Sequence, residues 1–212
     1  MIVEVHPEYP QPRRIAEVAA RLRSGALIAY PTDTIYAVGC ATTSKKAVEA
    51  LQRLKSQKRT RDRKNSKAMS IIVPDMSTIS EWAVVDDRDY RLMKRATPGP
   101  FTFILRATRK VPKVMLNRQK TIGVRIPDAP VALALAEHLG SPIITMSASN
   151  EDGELIATPR DLEAAYRGAV EVVLDAGMLY PEPSTVIDLT GRTPEVVRIG
   201  KGSLDDLGLM LD

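Results

Sequence analysis

Three short clusters of hydroxyl residues follow apolar stretches: Pro31-Thr32-Asp33-Thr34, Thr145-Met146-Ser147-Ala148-Ser149-Asn150, and Ser184-Thr185. Strand ends in open α/β sheets are where ligands bind, because backbone and side-chain donors converge there. Hydroxyls at such positions also cap helices and close turns, so a single cluster carries little. Their company is what matters. Arg125 falls within an apolar segment, Arg198 comes late, and positions 55 to 67 hold seven basic residues (Lys55, Lys58, Arg59, Arg61, Arg63, Lys64, Lys67) against one acid, Asp62. A planar guanidinium grips carboxylate or phosphate by two donors, and a basic block draws in phosphate. Together these residues fit a phosphate-bearing substrate with small polar groups better than an apolar one.

Other templates are missing. There is no G-x-x-x-x-G-K-[ST] and no G-x-G-x-x-G, and Gly200-Lys201-Gly202 comes too late to open a helix in a phosphate-binding unit. His6 and His138 are isolated from cysteines and clustered acids, so no protein-held metal site is expected. No G-x-S-x-G elbow marks a serine nucleophile. The one cysteine, Cys40, follows Gly39 in an apolar stretch and reads as a small buried thiol. Aromatics are 4% of residues, too few to build a stacking platform for single strands.

The elements that must hold these residues read as one domain over 1–212, with no repeat and no Gly/Ser-rich linker. Hydrophobic residues are 44%, charged residues 26%, and the net charge is +4. Met1 to Pro12 has no apolar leader and no run is long enough to span a membrane, so a cytoplasmic location is expected. Apolar spacing predicts helices over 11–24, 44–57, 87–96, 130–139 and 159–166. Gly25 and Gly140 follow two of them, and Pro130 opens the one that Gly140 ends. Strands are predicted at 26–30, 69–73, 101–105, 122–126, 143–146, 170–174, 185–188 and 195–198, the last two as a hairpin. The mixture predicts an α/β fold with a sheet of mixed direction.

At this point the motifs become recognisable. Tyr30-Pro31-Thr32-Asp33-Thr34-Ile35-Tyr36-Ala37-Val38-Gly39 resembles the opening block of the YrdC/YciO family, the threonylcarbamoyl-AMP synthases and their relatives. Pro98 to Thr102, Thr121 to Pro127, Pro142 to Ala148, Ser184 to Asp188 and Arg198 to Gly200 are similar to its later blocks, in the same order over a family core of about 13–202. The resemblance implies a single-domain twisted mixed β-sheet with flanking helices and a basic concave surface. It further implies formation of threonylcarbamoyl-AMP and pyrophosphate from L-threonine, bicarbonate and ATP, with Mg2+ on the phosphates. A downstream threonylcarbamoyl transferase would pass the group to tRNA adenosine. By motif, Thr32, Arg125, Thr145 and Thr185 would line the threonine side, and Lys55, Lys58, Thr121, Ser147, Asn150 and Arg198 would hold ATP. Lys55, Arg59 and Ser147 would serve catalysis. Loss of Arg125 is expected to cripple threonine use while sparing the fold.

Two departures lean towards the YciO-like branch. Gln57 stands where the synthases carry the arginine of Lys-x-Arg, so Lys58 or Arg59 would have to substitute. Ser147-Ala148 is followed by Ser149 before Asn150, where the synthases read Ser-Ala-Asn. The alternative function for that branch is binding of double-stranded RNA or tRNA through its phosphates.

Overall fold

A computed structural model describes residues 1–57 and 69–209. Its strands are β1 (Ile2–Glu4), β2 (Ile28–Pro31), β3 (Tyr36–Ala41), β4 (Ser70–Ile72), β5 (Ala83–Val84), β6 (Phe101–Ala107), β7 (Thr121–Arg125), β8 (Ile143–Ser147), β9 (Val172–Asp175), β10 (Thr185–Asp188) and β11 (Glu195–Arg198). The helices are α1 (Pro12–Arg23), α2 (Lys45–Gln57), α3 (Met76–Trp82), α4 (Asp87–Arg95), α5 (Pro130–Leu139), α6 (Pro159–Ala165) and α7 (Leu204–Leu207). All strands join one mixed sheet in the order β1-β9-β2-β3-β8-β4-β7-β6-β10-β11, with β5 on the side of β6. No described helix is long and apolar enough to cross a membrane.

Local chemistry explains the helices. Pro12 and Pro130 sit in the first turns of α1 and α5, where a missing N–H leaves no bond unmade. Gly140 ends α5 at φ 71°, left-handed backbone that glycine adopts without a Cβ clash. Ser44 accepts from the Ala47 amide and caps α2, and Asp86 does the same for α4 through the Asp89 amide.

Side chains alternate across a sheet, so register sorts them into two faces. One face carries Val38, Ile71, Phe103, Val124, Ile144, Val173 and Ile187, and buries them under Leu51 of α2, Ile79 and Trp82 of α3, Met93 of α4 and Leu162 of α6. The other face is covered only in part. There α1 and α5 bring Ile15, Val18, Leu22, Leu135 and Leu139 onto Ile28, Ala41, Ile72, Ile143 and Val172. Beyond Ile72 and Ile143 the same face continues as Ser70, Thr145, Ser147, Thr121, Gly123, Arg125, Thr102 and Val186, in strand register with one another.

The sheet curls towards that uncovered half. Six strand spacings separate β2 from β10, about 29 Å if the sheet were flat. Yet the Glu182 amide donates to Thr34 O at 3.3 Å, just before β10 and just after β2, and Lys201 Nζ donates to Asp33 O at 2.6 Å. Accumulated strand twist brings the two ends of the path together over a concave face.

Candidate functional site

The concave face is built in register. Gly123 of β7 and Thr145 of β8 flank Ser70 of β4, and Thr121 and Ser147 lie one pleat further along their strands, towards the same end. Gly123 is crowded: a Cβ there would stand 2.5 Å from Ser70 Oγ and 3.1 Å from Thr102 Cγ2, so those side chains would have to shift. Gly39, beside Thr145, is more constrained, since its Cβ would meet the backbone carbonyl Ile144 O at 2.6 Å.

Arg125 is the centre of this face. Its Nη2 donates to Asp33 Oδ1 at 2.6 Å, and the two side chains are 8% and 7% exposed. Burial lowers the Arg125 pKa, and the Asp33 charge opposes that shift. Asp33 comes from the β2–β3 loop, four strands away in the sheet order, and its Oδ2 accepts from the Asp128 amide at 3.1 Å. Arg125 Nε is buried without an acceptor; among the described residues only Thr42 Oγ1 shares that condition.

The hydroxyls around it differ in how they are held. Thr145 Oγ1 accepts from Tyr30 Oη at 2.9 Å, and burial pushes the Tyr30 hydroxyl pKa up, so it stays a donor. Thr32 Oγ1 donates to Ile35 O at 2.6 Å and accepts from the Thr34 and Ile35 amides, which shapes the loop that carries Asp33. Thr121 is fixed from both sides by Asn117, which accepts from its amide and donates to its hydroxyl. Ser147 is exposed at the end of β8.

Three assignments implied by the resemblance do not suit the geometry, the first being Thr32, whose hydroxyl is fully used within its own loop. Thr185 shares its face with Ile187, which lies in the closed core, and it is fully buried, donating to Gly202 O at 2.6 Å and accepting from the Gly200 amide. Strand alternation turns it away from the concave face. Its neighbour Ser184 takes the place, with Oγ 2.8 Å from Thr102 Oγ1. Asn150 is likewise engaged: Oδ1 accepts from the Glu154 amide and Nδ2 donates to Glu154 Oε2, closing a turn. Ser149 stands directly after Ser147-Ala148, and Tyr166 Oη clamps its backbone by accepting from the amide at 2.9 Å and donating to the carbonyl at 3.0 Å.

The cations are spread around the rim. Arg198 donates through Nε and Nη2 to Ser184 O, at 3.2 and 2.8 Å. Lys55 lies one turn beyond Leu51, in the last turn of α2, and so approaches from the closed side of the sheet. Gln52 of the same helix donates to Val114 O, which puts this helix end beside the turn leading into Thr121. Burial lowers the Lys55 pKa to about 8. Lys58 and Arg59 fall outside the described residues, as does the rest of the basic block to Lys67. Two concavities elsewhere, about 220 Å3 between α3 and α4 and about 420 Å3 at the ends of β1 and β9, include none of these residues.

Sequence reasoning placed Asp33 and Ser184 in candidate clusters but gave no role to either, nor to Tyr30, Asn117 and Tyr166. For Ser184 the signal was present in strand parity; Asp33 was the one acid in its hydroxyl cluster.

Known proteins match both the fold and the site-bearing segments. A family model for Sua5, YciO and YrdC proteins, described as telomere recombination, matches residues 20–200. The uncharacterised protein YciO of Escherichia coli K12 is 38% identical over 202 residues, 94% of this chain and 95% of that one. The crystal structure of E. coli YciO superposes with a TM-score of 0.89 at 36% identity, covering 98% of each chain. A threonylcarbamoyl-AMP synthase of Chromohalobacter salexigens is 30% identical over 182 residues, 85% of this chain and 95% of its own. The structure of Pyrococcus abyssi Sua5 complexed with L-threonine gives a TM-score of 0.83 at 30% identity, covering 94% of this chain and 57% of that one. With a twisted mixed sheet that carries the matched segments from Ala20 to Gly200, the chain belongs to the Sua5/YciO/YrdC family.

Proposed function

We propose that this protein condenses L-threonine, bicarbonate and ATP into threonylcarbamoyl-AMP and pyrophosphate, for transfer by a partner enzyme to tRNA adenosine. The observation that carries the reading is Arg125, a guanidinium buried on a hydroxyl-lined face with Nε lacking an acceptor. A buried charged donor without a partner costs on the order of 1–3 kcal/mol, which a ligand carboxylate would recover. Thr145 stands on the same concavity to bond an amine or hydroxyl, and a site that bonds the substrate hydroxyl rejects analogues lacking it. Similarity to a threonylcarbamoyl-AMP synthase and to a Sua5 structure with L-threonine supports the same substrate.

In this reading the threonine amine, its ammonium proton given up to solvent, joins the bicarbonate carbon with loss of water; an oxygen of that carbamate then attacks the α-phosphorus of ATP, the bond from that phosphorus to the bridging oxygen breaks, and pyrophosphate leaves with the electron pair. Charge collects on phosphate oxygens, and fixed cations stabilise it. Lys55 and Arg198 would hold the phosphates from the rim, and Ser147 and Thr121 mark the end of the face nearest Lys55. Mg2+ would enter with the ATP phosphates, since no group of three His, Cys, Asp or Glu side chains among the described residues could hold a metal. The carbamate is already an anion, so its attack on phosphorus requires no general base.

Pyrophosphate release is measured with ATP, Mg2+ and bicarbonate, with and without L-threonine. Threonine-dependent release with an adenylate product is expected. No release by protein that binds ATP, beside an active relative, overturns the reading. Binding of double-stranded RNA through the basic block of 55–67 is the second reading, and predicts affinity that falls steeply with salt.

A further inference from the structure

The geometry points to Asp33 as a positioning residue for Arg125, an inference that rests on the carboxylate site described above. A carboxylate facing an arginine ordinarily takes two parallel N–H bonds, which would occupy both Nη2 and Nε. Asp33 does not. Its oxygens are divided, Oδ1 accepting from Arg125 Nη2 at 2.6 Å and Oδ2 from the Asp128 amide at 3.1 Å. Arg125 is thereby anchored by one amino group while Nε stays without an acceptor. The division sets the arginine half-used and ready for a second carboxylate.

The same residue ties three separate loops together. Asp128 belongs to the loop between β7 and α5, Asp33 to the loop between β2 and β3, and Lys201, which donates to Asp33 O at 2.6 Å, follows β11. The Lys201 amide also donates to Pro183 O, and the Glu182 amide to Thr34 O, so the Asp33 loop is held against the segments that enter and leave the last hairpin. Thr32 fixes the loop from within by accepting from the Thr34 and Ile35 amides. Asp33 therefore sets where the guanidinium stands on the concave face, and Lys201 sets where Asp33 stands.

The alternative role for a carboxylate in this place is simple neutralisation, and the two roles predict opposite signs. If Asp33 only offsets the arginine charge, its removal makes the site more cationic and tightens binding of an anionic ligand. If Asp33 positions Arg125, its removal weakens binding although the site gains charge. Asn offers one acceptor oxygen where two are used, so it satisfies either Arg125 or Asp128 and not both.

L-Threonine is titrated calorimetrically into the wild type, Asp33→Asn, Asp33→Ala and Lys201→Met, and the Arg125 Nε–H is followed by 15N relaxation in each. Threonine affinity is expected to fall about tenfold in Asp33→Asn, further in Asp33→Ala and about threefold in Lys201→Met, with Nε more mobile in the same order. In turnover the loss should appear in the KM for threonine, with kcat at saturation little changed. Unchanged or tighter threonine binding in the Asp33 variants overturns the inference. A wild type that binds no L-threonine instead overturns the proposed substrate, and the Nε signal in Asp33→Asn then decides the positioning role alone: an Nε as rigid as in the wild type rejects it. Should Asp33→Ala fail to fold, Asp33→Asn and Lys201→Met decide.

Discussion

The two faces of this sheet are made by the same strands and do opposite work. On β8, Ile144 points into the closed core with no exposure, while its neighbour Thr145 points to the concave face and takes a bond from Tyr30. On β7, Val124 fills the core and Arg125 carries a buried charge with an unmet donor. One face is closed by five helices, α2, α3, α4, α6 and α7, over apolar side chains; the other is closed by two helices only as far as Ile72 and Ile143. The difference shows how a period of two lets a strand carry stability and chemistry at once.

The largest test of that contrast is Arg125→Ala. It removes the proposed carboxylate donor and also leaves Asp33 buried without its cation, which costs about 3 kcal/mol. The sequence expectation is that this change spares the fold; the Asp33 contact adds a stability cost to it. A fall in Tm of about 6 to 12 °C, with threonine-dependent turnover down more than about thirtyfold, is expected by calorimetry and pyrophosphate assay. Adding Asp33→Ala should return part of the lost Tm and none of the turnover; full recovery of turnover would show that the pair serves only the fold.

Ile144→Ala comes next and acts on stability alone. Deleting a fully buried isoleucine side chain leaves a cavity and costs about 2 to 5 kcal/mol. Turnover per folded molecule, measured well below the new midpoint, should match the wild type. A large loss there would mean the two faces are not separable.

Tyr30→Phe is gentler. It removes the hydroxyl that orients Thr145, at about 1 kcal/mol of stability, and should raise the KM for threonine several-fold while kcat holds. A KM that does not move takes Thr145 out of the threonine pocket.

Much of the frame was legible in the sequence because local chemistry fixes it. Pro130 and Gly140 bracket α5 at its observed bounds, and 185–188 and 195–198 form the expected antiparallel pair. The misses have physical causes. β3 is buried on both faces and shows no alternation, so Tyr36–Ala41 gave no period to read. α3 is a seven-residue helix, too short for a clear apolar stripe. The Thr185 assignment ignored parity with Ile187, which the sequence already contained. Asp33 and Arg125 are another matter, for they meet across four strands and 92 positions only because the sheet curls. No local pattern encodes that contact.

Lys55 stands at the seam between the two faces and offers the smallest and most diagnostic effect. It is carried by a helix of the closed face, and burial lowers its pKa to about 8 from an ordinary 10.5. As a phosphate-holding cation it must be protonated, so kcat/KM for ATP should fall as pH rises through about 8. Stability should move the other way. Between about pH 8 and 9 the unfolded chain holds the Lys55 proton that the folded chain has begun to release, so stability rises with pH by up to about 1 kcal/mol. Above about pH 9 Cys40, pushed up to about 12 by burial, offsets this rise because the folded thiol keeps a proton that the unfolded one loses, and it prevails only once the unfolded lysine titrates near 10.5. Lys55→Arg, always charged, should flatten the activity limb in this window. A wild-type ATP profile that stays level to pH 9 would leave Lys55 to the closed face, as a stem that packs, and would assign the phosphates to Arg198.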